Sequence, residues 1–166
     1  GTMTTTEEYD GTNWSSGGAL PVGKQSNDAF GNTTNAIHNA GGNTAPANYV
    51  STTESYDGTN WTSGPTMLYG ADRIAASGSS TSGLVCGGRE SGSKTTKCAN
   101  FDGTVFATNA VLANARSGAM ATGKGETSTA SSFVAGGYNS SNGRMTATEE
   151  FTGEILTATA KTIDFD

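Results

Sequence analysis

Tyr9-Asp10-Gly11-Thr12-Asn13-Trp14 recurs unchanged as Tyr56-Asp57-Gly58-Thr59-Asn60-Trp61. Weaker copies begin at Phe101 (Phe101-Asp102-Gly103-Thr104-Val105-Phe106) and at Phe151 (Phe151-Thr152-Gly153-Glu154-Ile155-Leu156). A second sequence feature recurs with the same period, namely the glycine pairs Gly41-Gly42, Gly87-Gly88 and Gly136-Gly137. Two independent marks with one shared period indicate an internal repeat of about 45 to 50 residues.

Each repeat unit is predicted to hold four short strands. The first is rich in Gly and Ala, as at positions 72–78, and the second runs from Leu84 to Cys86 into a glycine pair. The third spans positions 52–56, and the fourth starts at Trp61 and is expected to reach Met67. Between the last two, Asp-Gly predicts a two-residue hairpin turn with positive φ at both central positions. No stretch has helical periodicity, so the sequence predicts an all-β protein built from propeller-like blades.

Composition narrows the function classes. The chain has 166 residues, enough for one domain, and a formal net charge of -6. Its 9 basic residues are scattered, which argues against a nucleic-acid partner, since phosphate binding needs clustered Lys and Arg. No apolar run is long enough to span a membrane.

The repeat resembles the kelch motif, in which a glycine pair is followed by a Tyr and then a Trp. Gly41-Gly42, Tyr56 and Trp61 carry this resemblance. The sequence from Thr6 to Trp14 also resembles kelch-like repeats in structural and tail-associated proteins of marine bacteriophages. The resemblance implies a kelch-type β-propeller segment.

Under this interpretation the chain is one domain, 1–166, of about three and a half four-stranded antiparallel blades. Its units cover positions 4–20 (a half blade), 21–68, 69–113 and 114–162. Closed propellers have about four to eight blades. The chain is therefore expected to be the C-terminal part of a longer propeller, or to be completed by oligomerisation.

Aromatic residues divide into two groups. Those that keep the period are predicted to pack between blades, and they are Tyr9, Trp14, Tyr56, Trp61, Phe101, Phe106 and Phe151. Tyr49, Tyr69 and Tyr138 do not keep it and are candidates for ligand contact. Tyr49 and Tyr138 fall in predicted loops after a glycine pair, and packing of such a loop onto its own blade is the alternative.

Cys86 and Cys98 are the only cysteines. Their midpoint falls at Gly92, so a symmetric hairpin would bring them face to face within reach of a disulfide. Two inert buried thiols are the alternative. A disulfide would imply an extracellular setting or oxidation after cell lysis.

No catalytic constellation is evident. His38 is the sole histidine and is expected to be a hydrogen-bonded strand residue rather than a metal ligand. Glu7-Glu8 and Glu149-Glu150 follow the repeat, which favours a structural role over an acid–base pair. We therefore expect no cofactor, no metal and no enzymatic activity.

The sequence is interpreted as a non-enzymatic structural or adhesion module of a virion or extracellular surface. Its loops would bind protein, including further copies of itself, or a glycan. Two alternatives stay open: an intracellular kelch scaffold for protein partners, and a fragment of a sugar-processing propeller enzyme.

Overall fold

A computed structural model describes residues 2–31, 37–44, 48–123, 131–141 and 143–152. These residues form β-strands and no α-helix, and their strands pair antiparallel, so the all-β prediction is confirmed. The strands are β1 (Glu7–Tyr9), β2 (Trp14–Ser16), β3 (Asp28–Gly31), β4 (Ile37–Ala40), β5 (Asn43–Thr44), β6 (Asn48–Tyr49), β7 (Thr53–Tyr56), β8 (Trp61–Ser63), β9 (Ala75–Ser79), β10 (Ser82–Cys86), β11 (Arg89–Glu90), β12 (Ser93–Lys94), β13 (Cys98–Phe101), β14 (Phe106–Thr108), β15 (Met120–Gly123), β16 (Ser131–Ala135) and β17 (Thr148–Thr152).

Four sheets follow one another along the chain. Sheet I is β1-β2, sheet II is β3-β4-β7-β8, sheet III is β9-β10-β13-β14 and sheet IV is β15-β16-β17. Two small hairpins, β5-β6 and β11-β12, extend beyond the glycine pairs of sheets II and III. The fourth strand of sheet II ends at Ser63 rather than Met67, and the first strand of sheet III begins at Ala75 rather than Asp72.

The Asp-Gly segment is a longer turn than the sequence predicted. Tyr9 pairs with Trp14, so the loop between them holds the four residues from Asp10 to Asn13. Of the two central residues of the expected turn, only Gly11 has positive φ, at 98°. The Asp10 carboxylate accepts hydrogen bonds from the backbone N–H groups of Thr12 and Asn13, each at 2.7 Å. The side chain thus closes the loop that a two-residue turn would have closed through backbone conformation.

The same aspartate bonding recurs in the two later loops that are described, at Asp57 and Asp102. Hydrogen bonds from two backbone N–H groups favour the ionised carboxylate, so they lower the pKa of Asp10, Asp57 and Asp102.

The glycine pair brings one sheet into contact with the start of the next. Gly87 and Gly88 both have positive φ, at 64° and 102°. A Cβ on Gly87 would lie 2.7 Å from the carbonyl oxygen of Arg116, and the Gly88 N–H donates to that same oxygen at 2.8 Å. Only glycine combines this backbone conformation with this close approach.

A chain of backbone hydrogen bonds joins the beginnings of sheets II, III and IV. The Arg73 N–H donates to the Ser26 carbonyl at 2.7 Å, and the Gly118 N–H donates to the Arg73 carbonyl at 2.8 Å. All three residues are left-handed, with φ of 56°, 51° and 62°. We call this series the inner ladder. It sets the first strands side by side, β3 against β9 and β9 against β15.

Consecutive sheets pack face to face. The face of a sheet that contacts the next sheet along the chain is called its leading face, and the face that contacts the preceding sheet is called its trailing face. On the leading face of sheet II, Phe30 packs against Phe101 and Phe106 of sheet III, with ring centroids 5.7 and 6.3 Å apart. The leading face of sheet III contributes Ala75 and Leu84 to a second buried cluster, where the other members include Val134 of sheet IV.

The predicted packing of the periodic aromatic residues holds for some of them only. Tyr56, Phe101 and Phe106 are buried, Trp61 is half-buried, and Phe151 packs at the edge of the second cluster. Tyr9 and Trp14 instead stack on each other, 5.1 Å between centroids, and remain 51% and 67% exposed. The prediction of packing between blades is wrong for these two, because no described residue lies on the trailing face of sheet I as Phe30 lies on that of sheet III.

Candidate binding surfaces and buried polar clusters

Sheet II contains a buried ion pair. The Lys24 ammonium lies 2.7 Å from the Glu54 carboxylate, and the two side chains are 0% and 5% exposed. The ammonium also donates to the Thr52 carbonyl at 2.9 Å. Lys24 is four residues ahead of β3, and Glu54 lies on the third strand of the sheet.

Sheet IV has the equivalent pair, made by Arg116 and Glu149. Arg116 is four residues ahead of β15, and its side chain is 0% exposed. Its guanidinium donates to the carbonyls of Gly136 and Ala147, at 3.2 and 3.0 Å. The glutamates that follow the repeat thus hold structural cations in both sheets.

Sheet III replaces the pair with two alanines. Ala71 and Ala99 occupy the positions of cation and glutamate, and both are 0% exposed. The carbonyls are instead satisfied by Tyr69, whose hydroxyl donates to Gly87 at 3.3 Å and to Lys97 at 3.0 Å. These carbonyls correspond to those of Gly136 and Ala147, which Arg116 binds in sheet IV.

This arrangement corrects the prediction for Tyr69. The residue is only 5% exposed, so it is part of the interior and not a ligand contact. Burial, with the negative charge of Glu90 nearby, raises the pKa of Tyr69 and keeps its hydroxyl a donor.

The structure brings the two cysteines together in a disulfide. Cys86 and Cys98 form a directly opposed pair between β10 and β13, with Cα atoms 4.1 Å apart. Both are buried within the cluster between sheets III and IV. The same register position holds Ala40 with Thr53 in sheet II and Ala135 with Thr148 in sheet IV.

The small hairpins after the glycine pairs form what we call the hairpin surface. It comprises β5-β6, β11-β12 and the segment at Tyr138, which bridges to both Ser117 and Arg144. Tyr49 lies in β6 rather than in a loop, and the Arg89 guanidinium sits over its ring at 5.4 Å. Arg89 is also paired with the buried Asp72 at 2.7 Å. Tyr138 is 42% exposed, so of the three candidate tyrosines it offers the most open ring.

A groove of about 300 Å³ lies between sheets I and II. Its lining consists of Thr6, Glu7, Glu8, Tyr9, Trp14, Tyr56 and Trp61. At its base the Tyr56 hydroxyl donates to the Glu8 carboxylate, which raises the pKa of Tyr56. The Trp61 indole N–H is buried and finds no acceptor among the described residues.

His38 and Phe133 share a register position in sheets II and IV. The backbone of His38 lies in β4 between Phe30 and Ser55, while its side chain and the stretch from Gly153 to Asp166 are outside the described residues. Phe133, which has the register position of His38 in sheet IV, is 39% exposed. Within the described ranges, no group of three or more His, Cys, Asp or Glu side chains is placed to hold a metal. The described part of the chain also contains no helix long and apolar enough to cross a membrane.

No protein-family model and no curated protein sequence matches this chain. Among solved structures, one described as the structure of YjhT is similar, with a TM-score of 0.73 at 15% sequence identity. The match covers 92% of this chain and 50% of the other. The chain therefore shares the fold of about half of that protein.

Proposed function

We propose that the chain is a segment of a kelch-type β-propeller that acts as a non-enzymatic adhesion module on a virion or extracellular surface and binds a glycan through its hairpin surface. The observation that carries this proposal is the contrast between recurring and non-recurring side chains. The recurring carboxylates are held in ion pairs and turns, as with Glu54, Glu149 and Asp57. Tyr138, which does not recur, presents an open aromatic ring beyond the sheets.

Three features support the propeller segment. Sheets II and III each have four antiparallel strands in the order of the chain, their first strands are adjacent, and each sheet covers the next with one face. Consecutive propeller blades would have these features, which supports the proposal. The fold shared with about half of a longer chain is in keeping with a partial ring.

The disulfide supports an extracellular location. Disulfides persist in oxidising compartments and are rare in the cytosol. Cys86 and Cys98 are therefore an argument against the intracellular scaffold. The fragment of a sugar-processing enzyme receives no support from Glu54 and Glu149, because their carboxylates neutralise buried cations.

Exposed tyrosine rings beside amide and hydroxyl groups suit the stacking and hydrogen bonding by which proteins bind sugars. Tyr138 is followed by Asn139, whose side-chain oxygen accepts hydrogen bonds from the N–H groups of Ser141 and Gly143. Those bonds hold the segment in a defined shape beside the ring, so little order would have to be gained on binding.

The test is binding of the labelled 166-residue chain to an array of immobilised glycans. We expect a restricted set of glycans to retain the chain, and Tyr138→Ala to weaken retention at least tenfold. Val105→Ala is the matched control, since Val105 is 53% exposed in an Asp-Gly loop at the opposite end of the sheets. Retention that is equal for both variants, or absent for all glycans, would contradict the proposed function.

A further inference from the structure

The interior of the molecule follows a fixed rule of packing. The leading face of sheet II covers Phe101 and Phe106 on sheet III, which are left 1% and 7% exposed. The leading face of sheet III meets sheet IV in the same sense, and there Ala75 and Leu84 are each 1% exposed. A leading face and a trailing face are thus complementary apolar surfaces.

Sheet I presents a trailing face without a cover among the described residues. Tyr9 and Trp14 have the positions of Phe101 and Phe106, yet they are 51% and 67% exposed along the groove between sheets I and II. Their hexapeptide is identical to the one that contains Tyr56 and Trp61, so the difference lies in packing and not in sequence.

Sheet IV presents a leading face that none of the described residues covers. Met120 and Phe133 lie on one face of the sheet, since Met120 pairs with Ala135, two residues beyond Phe133. In sheet III the same two register positions are Ala75 and Leu84, which are buried. Met120 and Phe133 are 69% and 39% exposed. An exposed apolar patch at a position that is otherwise an interface marks a site of association.

We infer that the chain associates head to tail with a second copy, so that the leading face of sheet IV in one copy packs on the trailing face of sheet I in the other. The partner is a copy of this chain because the two open surfaces are the two halves of the contact that its own interior sheets make. Both apolar ends are covered by one such contact. It is heterologous, so successive copies either close into a ring or continue as a filament.

This inference does not depend on the proposed glycan binding, since it uses the faces of sheets I and IV and not the Tyr138 ring that follows β16. The test uses the complete chain and two charge variants, Trp14→Glu at one end and Phe133→Glu at the other. Met120→Glu replaces Phe133→Glu if circular dichroism shows that the latter does not fold. Val105→Glu is the control, since Val105 is apolar, 53% exposed and on neither of the two faces. Light scattering after size exclusion gives the mass against 16.7 kDa for a monomer.

We expect the unsubstituted chain and the control to form oligomers and each end variant to be monomeric. A mixture of Trp14→Glu with Phe133→Glu retains one intact contact, and it should give a 1:1 dimer of about twice the monomer mass. Three results would overturn the inference: a monomeric unsubstituted chain at about 100 µM, end variants that assemble as the control does, or a mixture that stays monomeric. The last would mean that no contact joins the sheet IV end of one copy to the sheet I end of another, whereas pairing of like ends would make each end variant a dimer on its own.

Discussion

Glu54→Ala should destabilise the protein more than removal of the whole ion pair. The substitution removes the carboxylate that lies 2.7 Å from the Lys24 ammonium, whose side chain is 0% exposed. The ammonium then keeps only its hydrogen bond to the Thr52 carbonyl, at 2.9 Å. Breaking a buried pair by removing one partner costs about 3–5 kcal/mol, because an uncompensated charge stays buried. We expect the free energy of unfolding to fall by an amount in that range.

The double variant Lys24→Ala with Glu54→Ala removes both charges and copies the arrangement of Ala71 and Ala99 in sheet III. It loses the attraction between the charges and also their desolvation penalty. The remaining cost comes from the cavity and from the Thr52 carbonyl, and we expect it to be about 1–2 kcal/mol.

The assay is urea unfolding followed by tryptophan fluorescence, since the chain has 2 tryptophans. Glu90→Ala is the matched control, because it breaks a pair of similar length, 2.8 Å to Lys97, whose side chains are 31% and 52% exposed. Exposed pairs contribute about 0–1 kcal/mol. The reasoning is refuted if Glu54→Ala costs no more than Glu90→Ala, or if the double variant is less stable than Glu54→Ala alone.

Four other predictions concern stability. Tyr69→Phe should cost about 1–3 kcal/mol in urea unfolding, since it removes a buried donor from the Gly87 carbonyl and leaves the Lys97 carbonyl with only the Gly87 N–H; a change under about 0.5 kcal/mol would contradict the assigned role. Ser26→Gly should leave stability unchanged or raise it by up to about 1 kcal/mol, because Ser26 is left-handed at φ 56°, and a clear loss in thermal unfolding would count against strain there. Hydrogen bonding lowers the pKa of Asp57 in the folded protein from the ordinary value of 3.8. The ionised carboxylate therefore stabilises the folded state above pH 3.8, and this stabilisation is lost as the pH falls through the lowered pKa. Asp57→Asn should reduce the drop in urea midpoint between pH 5 and pH 2.5, and an unaltered drop would exclude this contribution. Cys86→Ala with Cys98→Thr, the residues found in sheets II and IV, should fold but lose about 2–3 kcal/mol and all sensitivity to reductant.

Local features were predictable from the sequence because they depend on a few adjacent residues. The hexapeptide from Tyr9 to Trp14 forms the same hairpin as its copy at Tyr56, although one pair of rings is exposed and the other is covered. The face-to-face placement of Cys86 and Cys98 also followed from hairpin symmetry.

The residues that join sheets were harder to predict. Phe30 has Ser77 and Thr122 at its register positions in the other sheets, so no repeat marks it as the side chain that covers Phe101. The left-handed residues of the inner ladder were hidden because only one of the three, Gly118, is a glycine. Contacts between sheets depend on distant segments, which a pattern along the chain does not reveal.

The buried cations did carry a signal that went unnoticed. Lys24 and Arg116 each follow an aromatic residue of the repeat, Tyr9 and Phe101, at the same interval. Their glutamates each precede an aromatic residue by two positions, and the pairing of these two marks predicts the ion pairs. The substitution in sheet III hides the pattern, because Ala71 and Ala99 change together.

Sheets II, III and IV each satisfy their buried carbonyls with a side chain of their own unit. This has a consequence for the gain and loss of repeat units in such a chain. Lys24 and Arg116 each find their carboxylate within their own sheet, and Tyr69 serves its own sheet without any charge. A duplicated or deleted unit would therefore carry each buried cation together with its own carboxylate. In-frame gain or loss of one unit would therefore not strand these buried cations, and the substitutions needed to accommodate it would be confined to the contacts between sheets, such as that of Phe30 with Phe101.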